Sequence, residues 1–212
     1  MWLHQEKTLA IQIHPLTINN KYMLGIILCG GQSSRMGSDK GLLVLEAKTW
    51  AQTALDKLAT LDIAMKLSVN EKQFAEYAKV FTPESLITDD NTIDVREPLL
   101  GVLSAHIKNI TNDLFLLACD MPLMEPALLK ELYNCYLQNP GNEAYIFIND
   151  NEPEPLCGIY TAKGLSKIIV LQKENKLVKH SMKFILNQLS VYSVALNEEQ
   201  KYASVILMLM PN

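Results

Sequence analysis

LCGGQSSRMGSDKGLL, residues 28–43, decides the fold of this 212-residue chain, because it joins an apolar run to a glycine-rich loop that carries two cations. Gly30 and Gly31 let the backbone approach a ligand closely, so that successive amides can point at phosphate oxygens. Arg35 and Lys40 add side-chain positive charge to the same loop. The stretch therefore predicts a nucleotide triphosphate site.

The spacing of this loop excludes two other phosphate-binding motifs. A P-loop needs four residues between its glycines and a lysine directly after the second, whereas Gly31 and Gly37 are separated by five residues, and Ser38 and Asp39 precede Lys40. A dinucleotide fingerprint needs Gly-x-Gly-x-x-Gly running into a helix, and that spacing is absent after the strand.

The composition is that of an ordinary globular enzyme, with 49% hydrophobic and 20% charged residues. A formal charge of −4 argues against nucleic acid as a partner, and no run approaches the ~20 apolar residues of a membrane span. The cysteines form no Cys-x-x-Cys pair and are expected to be reduced, which favours a cytoplasmic location. They are Cys29, Cys119, Cys135 and Cys157.

Apolar runs alternate with segments of helical spacing, which predicts a mostly parallel sheet with helices on both faces. The expected strands are residues 23–29, 63–69, 85–88, 114–119, 144–149 and 191–196, and the expected helices are residues 49–61, 71–80, 98–110, 125–137 and 165–174. We expect one domain over residues 23–212. We expect residues 1–22 to be an N-terminal extension that adds an edge strand at 8–13, with Met23 as an alternative translation start.

Ligands of open α/β sheets bind beyond the carboxyl ends of the strands. This rule brings together the loop after Cys29, Asn70 after the second strand, Asp89 after the third and Asp120 after the fourth. Asp120 comes directly after the buried run LFLLAC, so its carboxylate leaves the core at the site. One such carboxylate, together with substrate phosphates, suffices to recruit Mg²⁺.

The pattern Gly-Gly-x-Ser-x-Arg-Met-Gly-x-Asp-Lys-x-Leu-Leu resembles the signature loop of nucleotidyltransferases with a Rossmann-like fold. Its Arg-Met-Gly-x-Asp-Lys portion is most similar to the molybdenum cofactor guanylyltransferases. The resemblance implies a three-layer α/β/α fold with a mostly parallel central sheet. It also implies magnesium-dependent transfer of GMP from GTP to molybdopterin with release of pyrophosphate, and partner enzymes that supply or receive the molybdenum cofactor.

The resemblance assigns roles residue by residue to this chain. Arg35, Lys40 and Asp120 are implied as catalytic, and Asp120 as the metal ligand. The implied nucleotide-binding residues are Leu28, Cys29, Gly30, Gly31, Lys40, Asn70, Asp89 and Asp120. Aspartate is also a common residue in turns, so the alternative that Asp89 is only a turn residue stays open.

Other segments match the family less closely. Residues 97–101, EPLLG, resemble its Gly-Pro-Leu-x-Gly segment, except that Glu97 replaces the glycine, and simple helix packing explains the segment equally well. Residues 154–160, EPLCGIY, resemble a strand on the acceptor side, and His180 with Lys179 and Lys183 matches a basic segment facing the pterin phosphate. A solvated helix face also explains those charges. Alternative functions are a cytidylyl or sugar-phosphate nucleotidyltransferase and an inert nucleotide-binding homologue.

The C-terminus departs from the family, whose members continue into Phe-x-Asn-Val-Asn-Thr-Pro where this chain reads VILMLMPN, residues 205–212. If Leu207 and Leu209 use codons ending in A, reading Leu-Met-Leu-Met two bases later gives Asn-Val-Asn or Asn-Ala-Asn. We hypothesise a frameshift just before Ile206, and the alternative is a divergent hydrophobic last strand. The gene tests this hypothesis: one of the other two reading frames past Ile206 should encode an Asn-x-Asn-x-Pro continuation, and its absence from both would contradict the hypothesis.

Overall fold

A computed structural model describes residues 23–30, 39–121, 124–197 and 200 of the chain. In this part of the chain the strands are β1 (Met23–Leu28), β2 (Val44–Leu45), β3 (Lys48–Thr49), β4 (Ala64–Val69), β5 (Leu86–Thr88), β6 (Asp113–Ala118), β7 (Ala144–Asn149), β8 (Glu152–Tyr160) and β9 (Val191–Ala195). The α-helices are α1 (Trp50–Ala59), α2 (Glu71–Tyr77), α3 (Leu99–Lys108), α4 (Pro126–Gln138), α5 (Ala162–Lys173) and α6 (Met182–Leu186). The N-terminal extension, Gly31, Arg35 and the atypical C-terminus lie outside the described residues.

Seven strands form one sheet in the order β5-β4-β1-β6-β8-β7-β9. The pairs β5–β4, β4–β1, β1–β6 and β7–β9 are parallel, and β8 is antiparallel to both of its neighbours. The expected mostly parallel sheet is therefore confirmed. Strands β2 and β3 form a separate small hairpin that the sequence pattern did not predict.

The central strands are apolar because both of their faces are covered. Side chains of a strand point alternately to opposite faces of the sheet. Ile27 and Phe115 accordingly belong to the core cluster under α1, α2 and α4, whereas Ile26 and Leu116 belong to the cluster under α3, α5 and α6. These two clusters make the three-layer α/β/α arrangement that the resemblance implied.

The helices begin at identifiable caps. Thr49 caps α1 through Gln52, and Thr161 caps α5 by accepting a hydrogen bond from the backbone amide of Gly164 at 3.1 Å. The cap at Thr161 explains why α5 begins at Ala162, three residues before the expected start. None of the helices in the described part of the chain is long and apolar enough to cross a membrane.

Four strands deliver their carboxyl ends to one edge of the sheet, which positions the site. Three backbone hydrogen bonds continue the strand pairing beyond the strand ends. The amide of Cys29 donates to the Ser68 carbonyl at 2.9 Å, that of Cys119 to the Leu28 carbonyl at 3.1 Å, and that of Asp89 to the Val69 carbonyl at 3.2 Å. The segments after β1, β4, β5 and β6 therefore leave the sheet side by side. The segments that carry Asn70, Asp89 and Asp120 and the loop after Cys29 therefore lie at one edge, as expected from the sequence.

Candidate active site

Lys40 and Asp120 form an ion pair at the carboxyl edge of the sheet. Asp120 directly follows Cys119, whose backbone amide is hydrogen-bonded to the last residue of β1. Lys40 is the first residue of a short 3-10 helix, Lys40–Leu42, which follows the glycine-rich loop. The Lys40 Nζ donates to the Asp120 Oδ2 at 3.0 Å, and the two side chains are 39% and 41% exposed. A cation and a carboxylate that are far apart in sequence thus meet where water and a ligand can reach both.

Asp39 is held by donors from its own loop and from α2. Its Oδ1 accepts from the backbone amide of Gly41 at 3.0 Å and from the Tyr77 hydroxyl at 2.9 Å. Its Oδ2 accepts from the Gln73 Nε2 at 2.6 Å. Asp39, Gln73 and Tyr77 were not among the expected site residues. The available signal was that residues 73 and 77 are four apart and share one face of the predicted helix.

Asn70 lies at the expected edge and caps α2. Its Oδ1 accepts from the backbone amide of Gln73 at 3.0 Å, while the Gln73 Oε1 accepts from the backbone amide of Asn70 at 2.9 Å. This reciprocal pair is a capping box. Contact between Asn70 and a nucleotide stays a prediction, and the side-chain group outside the capping box is its amide nitrogen.

Two carboxylates, Asp89 and Glu97, lie close together at the same edge, with Glu97 against Gly30. A Cβ added to Gly30 would sit 3.1 Å from the Glu97 Oε2, so this carboxylate packs directly on the first glycine of the loop. The Oε2 atom is buried and has no hydrogen-bond partner in the part of the chain that the structure describes. Burial raises the pKa of Asp89 to about 7, and the adjacent Glu97 carboxylate acts in the same direction.

Gly101 brings α3 close to β4 at the same edge. A Cβ on this residue would lie 2.7 Å from the Ser68 Oγ and 3.6 Å from the Asp89 Oδ1. The peptide bond between Glu97 and Pro98, which precedes α3, is cis. The glycine at position 101 therefore allows a close approach, and the approaching groups are polar side chains of the protein itself.

The expected acceptor side is less well defined. Lys183 forms an ion pair with Glu152 of β8, and the His180 Nδ1 accepts from the backbone amide of Arg96 at 3.2 Å. Tyr160 is buried, and its hydroxyl donates to the Pro155 carbonyl at 2.8 Å. These contacts give His180, Lys183 and Tyr160 structural partners, and contact with an acceptor stays a prediction.

The donor chemistry of the edge suits a hard divalent cation held jointly with a substrate. In the described ranges, no group of three or more His, Cys, Asp or Glu residues could hold a metal ion. Mg²⁺ is usually bound by one or two carboxylates together with substrate phosphates and water. Asp120 presents such a carboxylate beside a cation, so the residues fit a magnesium ion that arrives with the nucleotide, and the metal role of Asp120 stays a prediction.

Comparison with known proteins identifies relatives of this chain. Residues 25–190 match the MobA-like NTP transferase domain. A probable molybdenum cofactor guanylyltransferase of Flavobacterium johnsoniae is 31% identical over 139 residues, which are 66% of this chain and 68% of that protein. A probable molybdenum cofactor guanylyltransferase from Geobacillus sp. is 29% identical over 173 residues, which are 78% of this chain and 86% of that protein.

Solved structures share the fold. The structure of molybdopterin-guanine dinucleotide biosynthesis protein A from Archaeoglobus fulgidus superposes with a TM-score of 0.65 at 21% identity, covering 88% of this chain and 90% of that one. The bifunctional IspDF of Campylobacter jejuni gives a TM-score of 0.63 at 15% identity, covering 85% of this chain and 51% of that one. The three-layer sheet arrangement is thus common to proteins with different names.

The Asp89–Glu97 pair predicts a pH-dependent stability. A carboxyl group whose pKa rises from about 4 in the unfolded chain to about 7 in the folded one destabilises the folded state as the pH rises through that window, and the penalty is complete above pH 7. Glu97→Gln removes one charge and supplies an amide donor. We expect it to raise the melting temperature by several degrees at pH 8 and by less at pH 4.5.

The measurement is thermal melting across pH 4.5–8.5. Glu84→Gln is the matched control, because Glu84 is an exposed glutamate at the start of a short 3-10 helix. A gain at Glu97 that is the same at every pH, or one that Glu84→Gln reproduces, would contradict the assigned cause.

Proposed function

The chain belongs to the family of the MobA-like NTP transferase domain and is a nucleotidyltransferase, and from this membership we propose that it is a molybdenum cofactor guanylyltransferase. In the proposed reaction, an oxygen of the terminal phosphate of molybdopterin attacks the α-phosphorus of GTP. A new P–O bond forms, and the bond between the α-phosphorus and the oxygen bridging to the β-phosphate breaks. Pyrophosphate leaves with the electron pair of that bond.

Within this membership, the structural observation that carries the proposed transfer chemistry is the Lys40–Asp120 ion pair at the carboxyl edge of the sheet. In-line transfer between two phosphates needs alignment and charge neutralisation rather than a protein nucleophile. Lys40 supplies a cation to the triphosphate, and Asp120 holds Lys40 until the nucleotide arrives. Mg²⁺, bound with the nucleotide at Asp120, would neutralise phosphate charge and orient the leaving group.

The neighbouring segments give the nucleotide its remaining contacts in this proposal. The ends of β1, β4 and β5 place Gly30, Asn70 and Asp89 next to one another, within the same edge as Lys40. The backbone at Gly30 supplies amides to phosphate, and Asn70 and Asp89 supply polar groups for the base or ribose. Arg35 adds a second cation from the loop. We expect the enzymes that deliver molybdopterin and receive the product to be its partners.

The proposed function predicts a preference for GTP. Purified protein is incubated with molybdopterin, Mg²⁺ and each of GTP, CTP, ATP and UTP, and pyrophosphate release is followed. We expect GTP to exceed the others by about tenfold or more in kcat/KM, which corresponds to about 1.4 kcal/mol of differential transition-state binding.

Three results would overturn this proposal. A preference for CTP would make the chain a cytidylyltransferase, and release of pyrophosphate with a sugar phosphate instead of molybdopterin would change the acceptor class. Nucleotide binding without release under any of these conditions would make it an inert homologue.

The ion pair predicts the behaviour of two variants. Asp120→Ala is expected to abolish metal-dependent turnover with little change in melting temperature, because the half-exposed carboxylate contributes charge to the site rather than packing to the core. Lys40→Ala is expected to raise the barrier by about 2–4 kcal/mol, as the loss of a donor to developing charge does.

Lys48→Ala and Asp56→Ala are the matched controls, because Lys48 and Asp56 form an exposed ion pair of 2.6 Å between β3 and α1. Both controls should keep turnover. Near wild-type turnover in Asp120→Ala, or a Lys40→Ala variant that changes only KM, would show that the assigned roles are wrong.

A further inference from the structure

Gln73 connects α2 to two different parts of the site. Its Oε1 accepts from the backbone amide of Asn70, and its Nε2 donates both to the Cys29 carbonyl at 3.0 Å and to the Asp39 Oδ2 at 2.6 Å. A carbonyl and a carboxylate can only accept, and a backbone amide can only donate. The orientation of the Gln73 amide is therefore fixed by its partners.

Tyr77 reaches the same place from the last turn of α2. It is fully buried, and its hydroxyl donates to the Asp39 Oδ1 at 2.9 Å. A Cβ on Gly41 would lie 2.1 Å from this hydroxyl oxygen, so only a glycine fits at that position. The hydroxyl thus touches both neighbours of Lys40, the one through a hydrogen bond and the other through direct packing.

These contacts leave the backbone of Lys40 little freedom. On one side, the Asp39 carboxylate is hydrogen-bonded to side chains of α2. On the other side, Gly41 packs on Tyr77, and its backbone amide donates a hydrogen bond to the Asp39 carboxylate. A lysine has a flexible four-carbon side chain, so its ammonium group is placed accurately only when its backbone is fixed. Here the backbone is fixed and the Lys40 Nζ lies 3.0 Å from Asp120.

We propose that Gln73 and Tyr77 are positioning residues for Lys40, and that they act through the Asp39 carboxylate. This inference rests on the proposed function for its catalytic consequence. Neither side chain is expected to touch the substrates. The Asp39 carboxylate connects both side chains to the loop, because its two oxygens accept hydrogen bonds from Gln73, from Tyr77 and from the backbone amide of Gly41.

Tyr77→Phe tests the proposal because it removes the hydroxyl and keeps the ring. Tyr136→Phe is the matched control: the Tyr136 hydroxyl donates to the Asp113 Oδ2 at 2.7 Å, so it is also a phenol bonded to a carboxylate, but at the opposite end of β6. Both variants should lose comparable thermal stability. Only Tyr77→Phe should lower kcat for pyrophosphate release, by roughly tenfold, because a small misplacement of a catalytic group has effects of this order.

A second readout works without turnover. The lysines are reductively methylated with ¹³C, which keeps their charge, and the Lys40 resonance is assigned by its loss in Lys40→Arg. Asp120→Asn gives the shift of a Lys40 that has lost its ion pair. Tyr77→Phe should move the resonance in that same direction, and Tyr136→Phe should leave it unchanged.

The two readouts separate the two proposals. If the wild-type protein releases no pyrophosphate from GTP and molybdopterin, the proposed function fails, and the Lys40 resonance still decides the positioning role. If the wild-type protein is active, a Tyr77→Phe variant that matches Tyr136→Phe in both kcat and the Lys40 resonance overturns the positioning role. An effect of Tyr77→Phe on KM alone overturns it as well.

Discussion

The parallel pairing of β1 with β4 and β6 is the constraint on which the rest of the structure depends. All six residues of β1 are buried, and the register matches Leu28 to Ser68 on one side and to Ala118 on the other. Strands in parallel register end at the same edge, so the loops at their carboxyl ends emerge at one place. This pairing explains how a loop lysine and an aspartate 80 positions later form an ion pair.

The apolar runs were sufficient to predict every strand of the seven-stranded sheet except β8. Residues 144–149 were predicted with the observed bounds, and residues 23–29 with one residue too many. β8 was suggested only by resemblance, because Pro153 and Pro155 interrupt its first half. The structure explains these prolines. β8 pairs with β6 only from Cys157 onward, so among the described strands the first half of β8 has β7 as its only paired strand. No described strand pairs with its other side there, and proline is tolerated on such an edge because it has no N–H to donate.

The candidate site was predicted unevenly for a related reason. Asp120 directly follows an apolar run, and Lys40 belongs to the glycine-rich loop that follows another, and both are signals in the sequence itself. Gln73 and Tyr77 carry no such signal, because their role depends on where α2 packs, and α2 packs where the capping box at Asn70 starts it. A glutamine and a tyrosine four residues apart are also typical of any helix surface. Only the three-dimensional contacts with Asp39 distinguish them.

Glycines at this edge and glycines in the core make room for different chemistry. A Cβ on Gly25, within β1, would meet the Met65 Cγ at 3.1 Å, an apolar neighbour. At Gly30, Gly41 and Gly101 the nearest atom to an added Cβ is instead an oxygen, from Glu97, Tyr77 and Ser68 respectively. The glycines of the edge therefore let polar side chains lie against the backbone of the loop and of α3. Two of these oxygens belong to groups next to site residues: the Tyr77 hydroxyl is next to Lys40, and the Glu97 carboxylate is next to Asp89. A larger residue at Gly41 or Gly30 would therefore crowd the backbone and also displace the polar groups around the proposed nucleotide site. At Gly30 and Gly41, the absence of a side chain thus leaves room for the protein's own polar groups as well as for the proposed phosphate site.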